Sequence, residues 1–427
     1  MPATDAGIPG LNLGTAETSG MPAFYVNGNG GFNFGYSLAI NQCNCPLAET
    51  ENHFQWVTNW TKIVSNHTIG WGADLRRAQQ QRIPSDSHRS GEITFDPSTT
   101  GSFEADLAGQ NTGQTTGAGM ASLLLGVPDA FSRYFTGSGL HPGLRQTRLF
   151  FYAQDTWRAT PRLTLSHGLR YENYLPQNAA SPGGAGSFDP ATGEVLIAGV
   201  GSVSKSMNVT AYTTGFIPRL GVAYQIQPKT ALRAGYGSSF TPAGLGAVFG
   251  QAPDYDPPII LPQQLNADTS YDSVYDLYTG PPVPTLHTVA ATGRYPLPDN
   301  ISVYYFFDPP NRYRVPLTEF WNAAIQHQIT PSMSIEAAYV GNVGRHIYVN
   351  ANLNQAVPGP GDFNSRERFY QLFGLSQGLY SICNCDNSNY HALQMKWGGT
   401  SGARTRLHRG LLLLEGARRY RTGRRCG

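Results

Sequence analysis

The cysteines are the residues with the most distinctive spacing in this sequence. They form two identical Cys-Asn-Cys elements, Cys43 with Cys45 and Cys383 with Cys385. Thiols in loops form disulfides in an oxidising exterior, and thiolates also bind soft metals. We predict structural disulfides and no metal site, with a soft-metal site as the alternative. Four cysteines allow three pairings, and the sequence does not choose among them.

Tyrosines and aspartates are concentrated in one long loop. Tyrosine rings stack on sugars and carboxylates accept hydrogen bonds from hydroxyl groups, while carboxylates are also the ligands that Ca²⁺ prefers. This loop is a candidate for binding an extracellular ligand, but we favour the alternative of a solvated loop kept soluble by its charge. The group consists of Asp254, Tyr255, Asp256, Tyr271, Asp272, Tyr275, Asp276 and Tyr278.

Catalytic and nucleic-acid-binding functions find no support in the sequence. It has no G-x-S-x-G, H-E-x-x-H or P-loop motif, and its 10 histidines are scattered. The net charge of +2 conceals a tail after Ser401 with eight Arg and one Glu, a balance of +7, which leaves about −5 (2 − 7) for the rest. We therefore predict no enzymatic activity, no cofactor and no nucleic-acid partner.

The elements that must position these residues are β-hairpins, of which the segment 149–171 is the most informative. Side chains alternate between the two faces of a strand, so a run with apolar residues at every second position predicts one apolar and one polar face. The turn falls at 159–162. Asp155 and His167 interrupt the apolar face, which otherwise carries Leu149, Phe151, Ala153, Trp157, Leu163, Leu165, Leu169 and Tyr171.

Further hairpins follow the same pattern over 54–76, 216–240 and 320–341, with short turns near 65–66, 227–229 and 330–332. The connections between hairpins are long, as over 176–215 and 241–317. Short turns on one side and long loops on the other are typical of an outer-membrane β-barrel, and such loops are uncommon in compact soluble domains. A short helix or buried turn is predicted over 117–128.

The two faces of these strands predict different environments. In a barrel, the apolar face contacts lipid, aromatic residues lie at the membrane interfaces and the polar face lines the lumen. The predicted interface aromatics are Trp56, Trp60, Trp71, Trp157, Tyr171, Trp321 and Tyr339. The predicted lumen residues are Arg76, Arg170, Glu172, Arg219, Arg233 and Glu336.

Composition agrees with a β-rich membrane protein. Charged residues make up 14% of the chain, below the roughly 25% usual in soluble domains. No apolar run reaches the length of about 18 residues that a transmembrane helix requires. We divide the chain into a Gly/Asn-rich loop region (1–52), a partial barrel (53–397) and an Arg-rich tail (398–427). The tail lacks alternation, and we interpret it as out-of-frame or unrelated sequence, with a lipid- or nucleic-acid-binding tail as the alternative.

The predicted hairpins resemble the barrel of TonB-dependent outer-membrane receptors, and in particular the Oar-like subgroup. The similarity is carried in order by NWTKIVSNHTIGWGADLRRAQQQR (59–82), FFYAQDTWRATPRLTLSHGLRYE (150–172), PRLGVAYQIQPKTALRAGYGSSF (218–240), EFWNAAIQHQITPSMSIEAAYVGNVGRHI (319–347) and NYHALQMKW (389–397). The family also carries a signal peptide, a TonB box, a plug domain and further C-terminal strands. None of these is recognisable here, so we expect a middle piece of a receptor barrel.

The resemblance implies an all-β, antiparallel transmembrane barrel, incomplete in this chain, in the bacterial outer membrane. Its expected partners are outer-membrane lipid, an unknown extracellular ligand and the TonB complex, which would act through a plug domain absent from this chain. The expected function is uptake of a large nutrient, such as an oligosaccharide or a metal chelate. The alternatives are a structural or adhesive outer-membrane barrel without transport and a soluble β-rich carbohydrate-binding protein.

Overall fold

A computed structural model describes most of the chain at the level of individual residues. The described residues are 7–11, 21–35, 48–83, 91–102, 116–136, 142–241, 256–269, 271–284, 288–298, 301, 303–307, 312–401 and 405–411. None of the helices within these ranges is both long enough and apolar enough to cross a membrane.

Strands dominate the described residues. In chain order they are β1 (Ala23–Val26), β2 (Phe32–Gly35), β3 (Ala48–Val64), β4 (His67–Ile83), β5 (Glu92–Phe95), β6 (Ala130–Thr136), β7 (Leu144–Thr160), β8 (Leu163–Tyr174), β9 (Asn178–Ala179), β10 (Gly186–Asp189), β11 (Glu194–Ile197), β12 (Thr210–Ala211), β13 (Phe216–Gln227), β14 (Thr230–Phe240), β15 (Ile260–Asn266), β16 (Arg294–Pro296), β17 (Val303–Phe307), β18 (Arg312–Tyr313), β19 (Leu317–Thr330), β20 (Met333–Asn352), β21 (Leu379–Ser401) and β22 (Thr405–Leu411). The α-helices are α1 (Gly119–Leu125) and α2 (Arg368–Phe373), and two 3₁₀ segments span Pro97–Thr100 and Asn364–Arg366.

The long strands form one large sheet of 12 strands, in the order β17-β21-β20-β19-β14-β13-β8-β7-β4-β3, with β22 added to β21 and β9 added to β7. All of its pairings are antiparallel except that of β17 with β21. This confirms the predicted all-β, antiparallel class and the hairpins. Over the described residues the sheet is open, because no strand pairs with the outer edge of β3.

Four hairpins of this sheet have two-residue turns, at 65–66, 161–162, 228–229 and 331–332. Three of the turns begin with proline, whose fixed φ suits the first central position of a tight turn. A glutamine in the preceding strand supports two of them: the side-chain amide of Gln225 donates to the Pro228 carbonyl at 3.2 Å, and that of Gln328 to the Pro331 carbonyl at 3.3 Å. The turns therefore rest on local residues, which is why the sequence pattern locates them.

The register gives the large sheet an apolar face and a polar face. Trp71 lies opposite both Trp60 and Ala153, and Ala153 lies opposite Leu169, so these side chains share one face. This apolar face is open: Trp60 is 61% exposed and Leu169 is 50% exposed. A face this large and apolar requires a nonpolar environment or a covering partner.

The long connections form smaller sheets of their own. The first loop layer is the five-stranded sheet β15-β6-β5-β1-β2, which joins three stretches that are far apart in sequence. The second loop layer is the three-stranded sheet β10-β11-β16. β1, β2 and the start of β3 lie within 1–52, the predicted Gly/Asn-rich loop region. β1 and β2 have only four residues each, so neither is long enough for a sequence pattern to reveal alternation.

A buried arginine holds the first loop layer together. Arg133 is 0% exposed, and its guanidinium donates to the carbonyls of Gly10 (2.7 Å) and Leu11 (2.9 Å) and to Oε1 of Gln263 (2.7 Å). Burial lowers its pKa to about 10, which leaves it charged at neutral pH. Charge-assisted hydrogen bonds offset the cost of burying this charge and fasten the segment 7–11 to the sheet.

The three-part division of the chain remains a prediction, but the strand bounds differ from its boundaries. β3 begins at Ala48, inside the predicted loop region, and β21 runs through Trp397 to Ser401. β22 lies inside the predicted tail and pairs with β21, for example Gly398 with His408. The predicted helix or buried turn over 117–128 contains α1.

Candidate functional site

Charged and aromatic side chains gather on the polar face where β4, β7 and β8 approach the long connections. Asp74, Phe150 and Glu172 lie opposite one another in one row, and Arg76, Arg148 and Tyr174 form the adjacent row. Arg170 lies on the same face of β8, two residues before Glu172. Residues two apart on neighbouring strands share a face, so the register alone brings these side chains together. We call this set the arginine cluster.

Phe150 is the centre of the arginine cluster. The guanidinium carbons of Arg76 and Arg170 each lie 5.2 Å from the centre of its ring, a cation–π geometry. Both arginines are neutralised by a neighbour on their own strand: Arg76 Nη2 lies 2.7 Å from Asp74 Oδ2, and Arg170 Nε lies 2.6 Å from Glu172 Oε1. These ion pairs permit two like charges to flank one ring.

The connections cover this part of the polar face. Phe150 is 4% exposed and Tyr174 is 7% exposed, because they pack with Val209, Val315 and Ile382. Tyr174 also donates to Glu172 Oε2 at 2.8 Å. The aromatic residue at position 150, which interrupts the polar pattern of the sequence, is therefore part of a core between the sheet and its loops.

A cavity of about 300 Å³ adjoins the arginine cluster on the same face. The hydroxyl of Tyr152 donates to Oδ1 of Asn59 at 2.8 Å across its wall. Gly168 leaves room beside Gln154, since a Cβ there would lie 2.8 Å from the Gln154 Cβ. The lining consists of Asn59, Tyr152, Ala153, Gln154, Gly168, Leu169, Arg170 and Arg219. Amides, a phenol and two guanidinium groups suit an anionic or hydroxyl-rich ligand.

The predicted lumen residues share this polar face by register. Arg170 lies opposite Tyr152, Arg219 opposite Gly168, and Arg233 opposite Ala324. Arg170 and Arg219 reach the cavity, whereas Arg233 and Glu336 lie nearer the turns and do not line it. The sequence does not predict that Phe150, Tyr152 and Gln154 contribute to the arginine cluster and its cavity. Alternation shows which face a residue occupies, but not which rows of the sheet become neighbours.

The predicted interface aromatics all lie on the apolar face. Trp56 is 62% exposed, Trp71 41% and Tyr339 44%. By register, Trp157, Tyr171 and Trp321 belong to the same face, as does Trp397, which lies opposite Ile335. All 6 tryptophans of the chain are therefore on one side of the large sheet. Their position at a membrane interface remains a prediction.

The polar interruptions of the apolar face pair with each other. Asp155 and His167 lie opposite one another, and Asp155 Oδ2 is 2.6 Å from Nδ1 of His67, whose ring stacks on Trp157 at 5.4 Å. On β20 and β21, the Tyr339 hydroxyl is 2.7 Å from His391 Nδ1. Pairing lowers the cost of placing such groups on an apolar surface. His67 and His391 gave no signal in the sequence.

The structure separates the tyrosines and aspartates of the predicted ligand-binding loop. Asp256 is 0% exposed. Tyr275 is 9% exposed and lies in the core of the first loop layer, where burial raises its pKa. Tyr278 is 87% exposed, and Asp272 accepts a hydrogen bond from the Thr269 hydroxyl. Asp254 and Tyr255 lie outside the described residues. Ligand binding by this loop therefore remains a prediction.

The cysteine prediction also remains open. Cys43 and Cys45 lie outside the described residues, and Cys383 and Cys385 lie within β21 rather than in the predicted loop. Among the described residues, no group of three or more His, Cys, Asp or Glu side chains could hold a metal ion.

A large two-faced antiparallel sheet with long connections on one side defines the class of outer-membrane β-barrels. The family model described as outer membrane beta barrel domain matches residues 1–413, and the chain belongs to this family. No curated protein matches the sequence.

Solved structures also match this chain, with low sequence identity and TM-scores below 0.5. The outer membrane transporter YddB from Escherichia coli is 9% identical with a TM-score of 0.42, and the match covers 84% of this chain and 32% of that one. The ferric enterobactin receptor PfeA from Pseudomonas aeruginosa is 10% identical with a TM-score of 0.38, covering 86% and 36%. The copper transporter OprC is 9% identical with a TM-score of 0.38, covering 84% and 37%. The chain thus spans about a third of the length of these proteins.

Proposed function

We propose that this chain forms part of the wall of an outer-membrane transporter, with its apolar face in lipid and its polar face towards the lumen. The observation that carries the proposal is the location of all 6 tryptophans and most exposed aliphatic side chains on one face, opposite the arginine cluster. A soluble carbohydrate-binding protein would bury that face against a second sheet. Trp60, Trp71 and Tyr339 are instead 61%, 41% and 44% exposed.

The lipid contact is tested by quenching of tryptophan fluorescence in reconstituted vesicles. Because every tryptophan lies on the apolar face, phospholipids brominated on the acyl chains should quench most of the emission, and aqueous acrylamide little of it. A matched preparation in non-brominated lipid is the control. Efficient acrylamide quenching without bromine quenching would contradict the proposed orientation.

The transported ligand is proposed to be a large nutrient, either an anionic metal chelate or an oligosaccharide, with energy from the TonB complex through a plug domain. The resemblance to the Oar-like subgroup supports the TonB-dependent mechanism. The cavity beside the arginine cluster favours the chelate, because Arg170 and Arg219 present guanidinium groups to it. Hydrogen bonds to charged groups contribute about 1.5–3 kcal/mol, or roughly 10- to 150-fold in affinity.

Substitution of Arg219 tests this ligand class. No described residue forms an ion pair with Arg219, so Arg219→Gln should leave the fold unchanged. The variant loses the charge-assisted hydrogen bonds of the guanidinium group, and its binding of ferric citrate, used as the probe, should therefore be at least tenfold weaker. Arg233→Gln is the matched control, since Arg233 shares the face but not the cavity. Unchanged affinity in Arg219→Gln, with maltohexaose binding instead, would favour the oligosaccharide. Binding of neither probe would favour a structural or adhesive barrel without transport.

A further inference from the structure

A second polar site lies at the same end of β4 and β7 as the arginine cluster, towards the long connections, but on the outward face. Asn52 lies opposite Gln79, Gln79 opposite Arg145, and Arg145 opposite Asn178. Adjacent strands are about 4.8 Å apart, so four hydrogen-bonding side chains are placed at regular intervals in a single row. The row crosses β3, β4, β7 and the short loop strand β9.

A cavity of about 320 Å³ opens at this row. Its walls are fixed by backbone contacts: the Ala180 amide donates to the Gly143 carbonyl at 2.8 Å, and β9 pairs with the first residues of β7. A Cβ on Gly143 would lie 3.3 Å from the Gln80 carbonyl oxygen, which shows how closely the wall is packed. The polar lining consists of Thr50, Asn52, Gln79, Gln80, Gln81, Arg145 and Ser181.

Three side chains of this row keep their hydrogen-bonding capacity, whereas the fourth, Asn178, donates to the Pro176 carbonyl at 3.1 Å. Within the described part of the chain, no side-chain hydrogen bond or ion pair involves Asn52, Gln79, Gln81 or Arg145. The arginines of the arginine cluster, by contrast, are paired with carboxylates. Among the described residues that line this cavity there is no carboxylate, histidine or aromatic ring, and its polar recognition elements are amides, hydroxyls and one guanidinium group.

We propose that this cavity binds a sugar unit. Each amide both donates and accepts, and a guanidinium donates two parallel bonds, which suits a ring that carries a hydroxyl on successive carbons. The volume lies at the small end of the range for ligand sites, about 300–1,000 Å³, and so fits one or two pyranose rings. A cation would need carboxylates, which the described lining does not provide. The rest of the lining, Pro142, Gly143, Leu144 and Ala180, is apolar and can contact the carbon atoms of a sugar ring.

The location identifies two sources for such a sugar. Gln79 is on the same face as Trp71 but eight residues further along β4, or about 26 Å at roughly 3.3 Å per residue. The cavity therefore opens outward beyond the apolar band, at the level of lipid head groups if the proposed orientation is correct. The sugar comes either from a glycolipid of the surrounding membrane or from a free oligosaccharide outside the cell.

The test is equilibrium binding by the full chain in nanodiscs, with lipopolysaccharide and its delipidated oligosaccharide as the two probes. The variants Gln79→Leu and Arg145→Met preserve side-chain size and should each weaken sugar binding about 3- to 30-fold through the loss of one or two hydrogen bonds. Gln326→Leu, on the polar face of β19 and away from the cavity, is the matched control and should change nothing.

Each outcome of this test decides a separate point. Variant-sensitive binding of both probes supports a sugar site open to free saccharides, and variant-sensitive binding of lipopolysaccharide alone supports a glycolipid site. Absence of binding, or binding to which Gln79→Leu and Arg145→Met make no difference, overturns the proposal. Arg219 and the lumen cavity are on the opposite face, so failure here leaves the transport proposal intact, and failure there leaves this one intact.

Discussion

The large sheet and the first loop layer place their hydrophobic side chains in opposite ways. On the large sheet, Trp60 and Ile325 point outward and are 61% and 46% exposed, while charged residues occupy the other face. In the first loop layer, Ile93 and Phe95 are 0% exposed and meet other apolar residues in a closed core. One chain therefore contains a surface built for a nonpolar surrounding and a small domain built for water.

This difference shows that hydrophobicity alone does not identify a core. A soluble protein gains stability when apolar area leaves water, which occurs in the first loop layer. In the proposed orientation, lipid supplies that gain for the large sheet without any protein partner, so its apolar residues need not interdigitate. The following substitutions test the two environments separately, beginning with the largest expected effect.

Phe95→Ala should cost about 3–5 kcal/mol in the free energy of unfolding of the first loop layer, because it leaves a cavity in a closed core. Phe95 is 0% exposed and stacks with Phe24 at a centroid distance of 6.4 Å. Limited proteolysis and hydrogen exchange of the segments 91–102 and 130–136 measure the loss. Phe32→Ala is the control, since Phe32 is 39% exposed and should cost much less. Equal protection in both variants would refute a closed core.

Ile325→Arg should cost about 2–4 kcal/mol in the free energy of unfolding from phospholipid vesicles, as expected for an arginine facing lipid near the middle of the bilayer. Ile325 is 46% exposed and lies opposite Leu232 and Ala337. Gln326→Arg, one residue further on the polar face and opposite Glu336, is the control and should be nearly neutral. Similar costs for the two variants would show that the faces do not differ in environment.

Asp129→Asn should produce the smallest effect, confined to the pH dependence of the first loop layer. Burial raises the pKa of Asp129, whose Oδ1 accepts a hydrogen bond from the Asp96 amide at 2.8 Å. A raised pKa in the folded state means that its contribution is fully present below the unfolded pKa, about 3.9, and is lost as the pH rises through the folded value. Asparagine keeps the acceptor and removes the titration.

Thermal unfolding across this pH window measures the effect of Asp129→Asn. The stability difference between the variant and the original chain should shift in favour of the variant as the pH rises. A difference that stays constant with pH would show that the carboxyl of Asp129 is not desolvated in the folded protein.

The sequence alone determined the hairpins of the large sheet, and local physics explains why. Alternation along 149–171 located β7, β8 and their turn, because period-two patterns and Pro-containing turns depend only on neighbouring residues. It also singled out Asp155 and His167 as interruptions. It did not reveal that Asp155 meets His67 across the β4–β7 pairing, since that contact depends on register between segments 88 residues apart.

The tertiary structure decided where the candidate sites lie. The arginine cluster, its cavity and the outward polar cavity each require the register of three or four strands, which no single strand pattern specifies. The loop layers were hidden for a related reason: their strands are short and joined from distant stretches, so no run of alternation is long enough to mark them. The sequence determined which residues face the same way; only the folded sheet decided which of them meet.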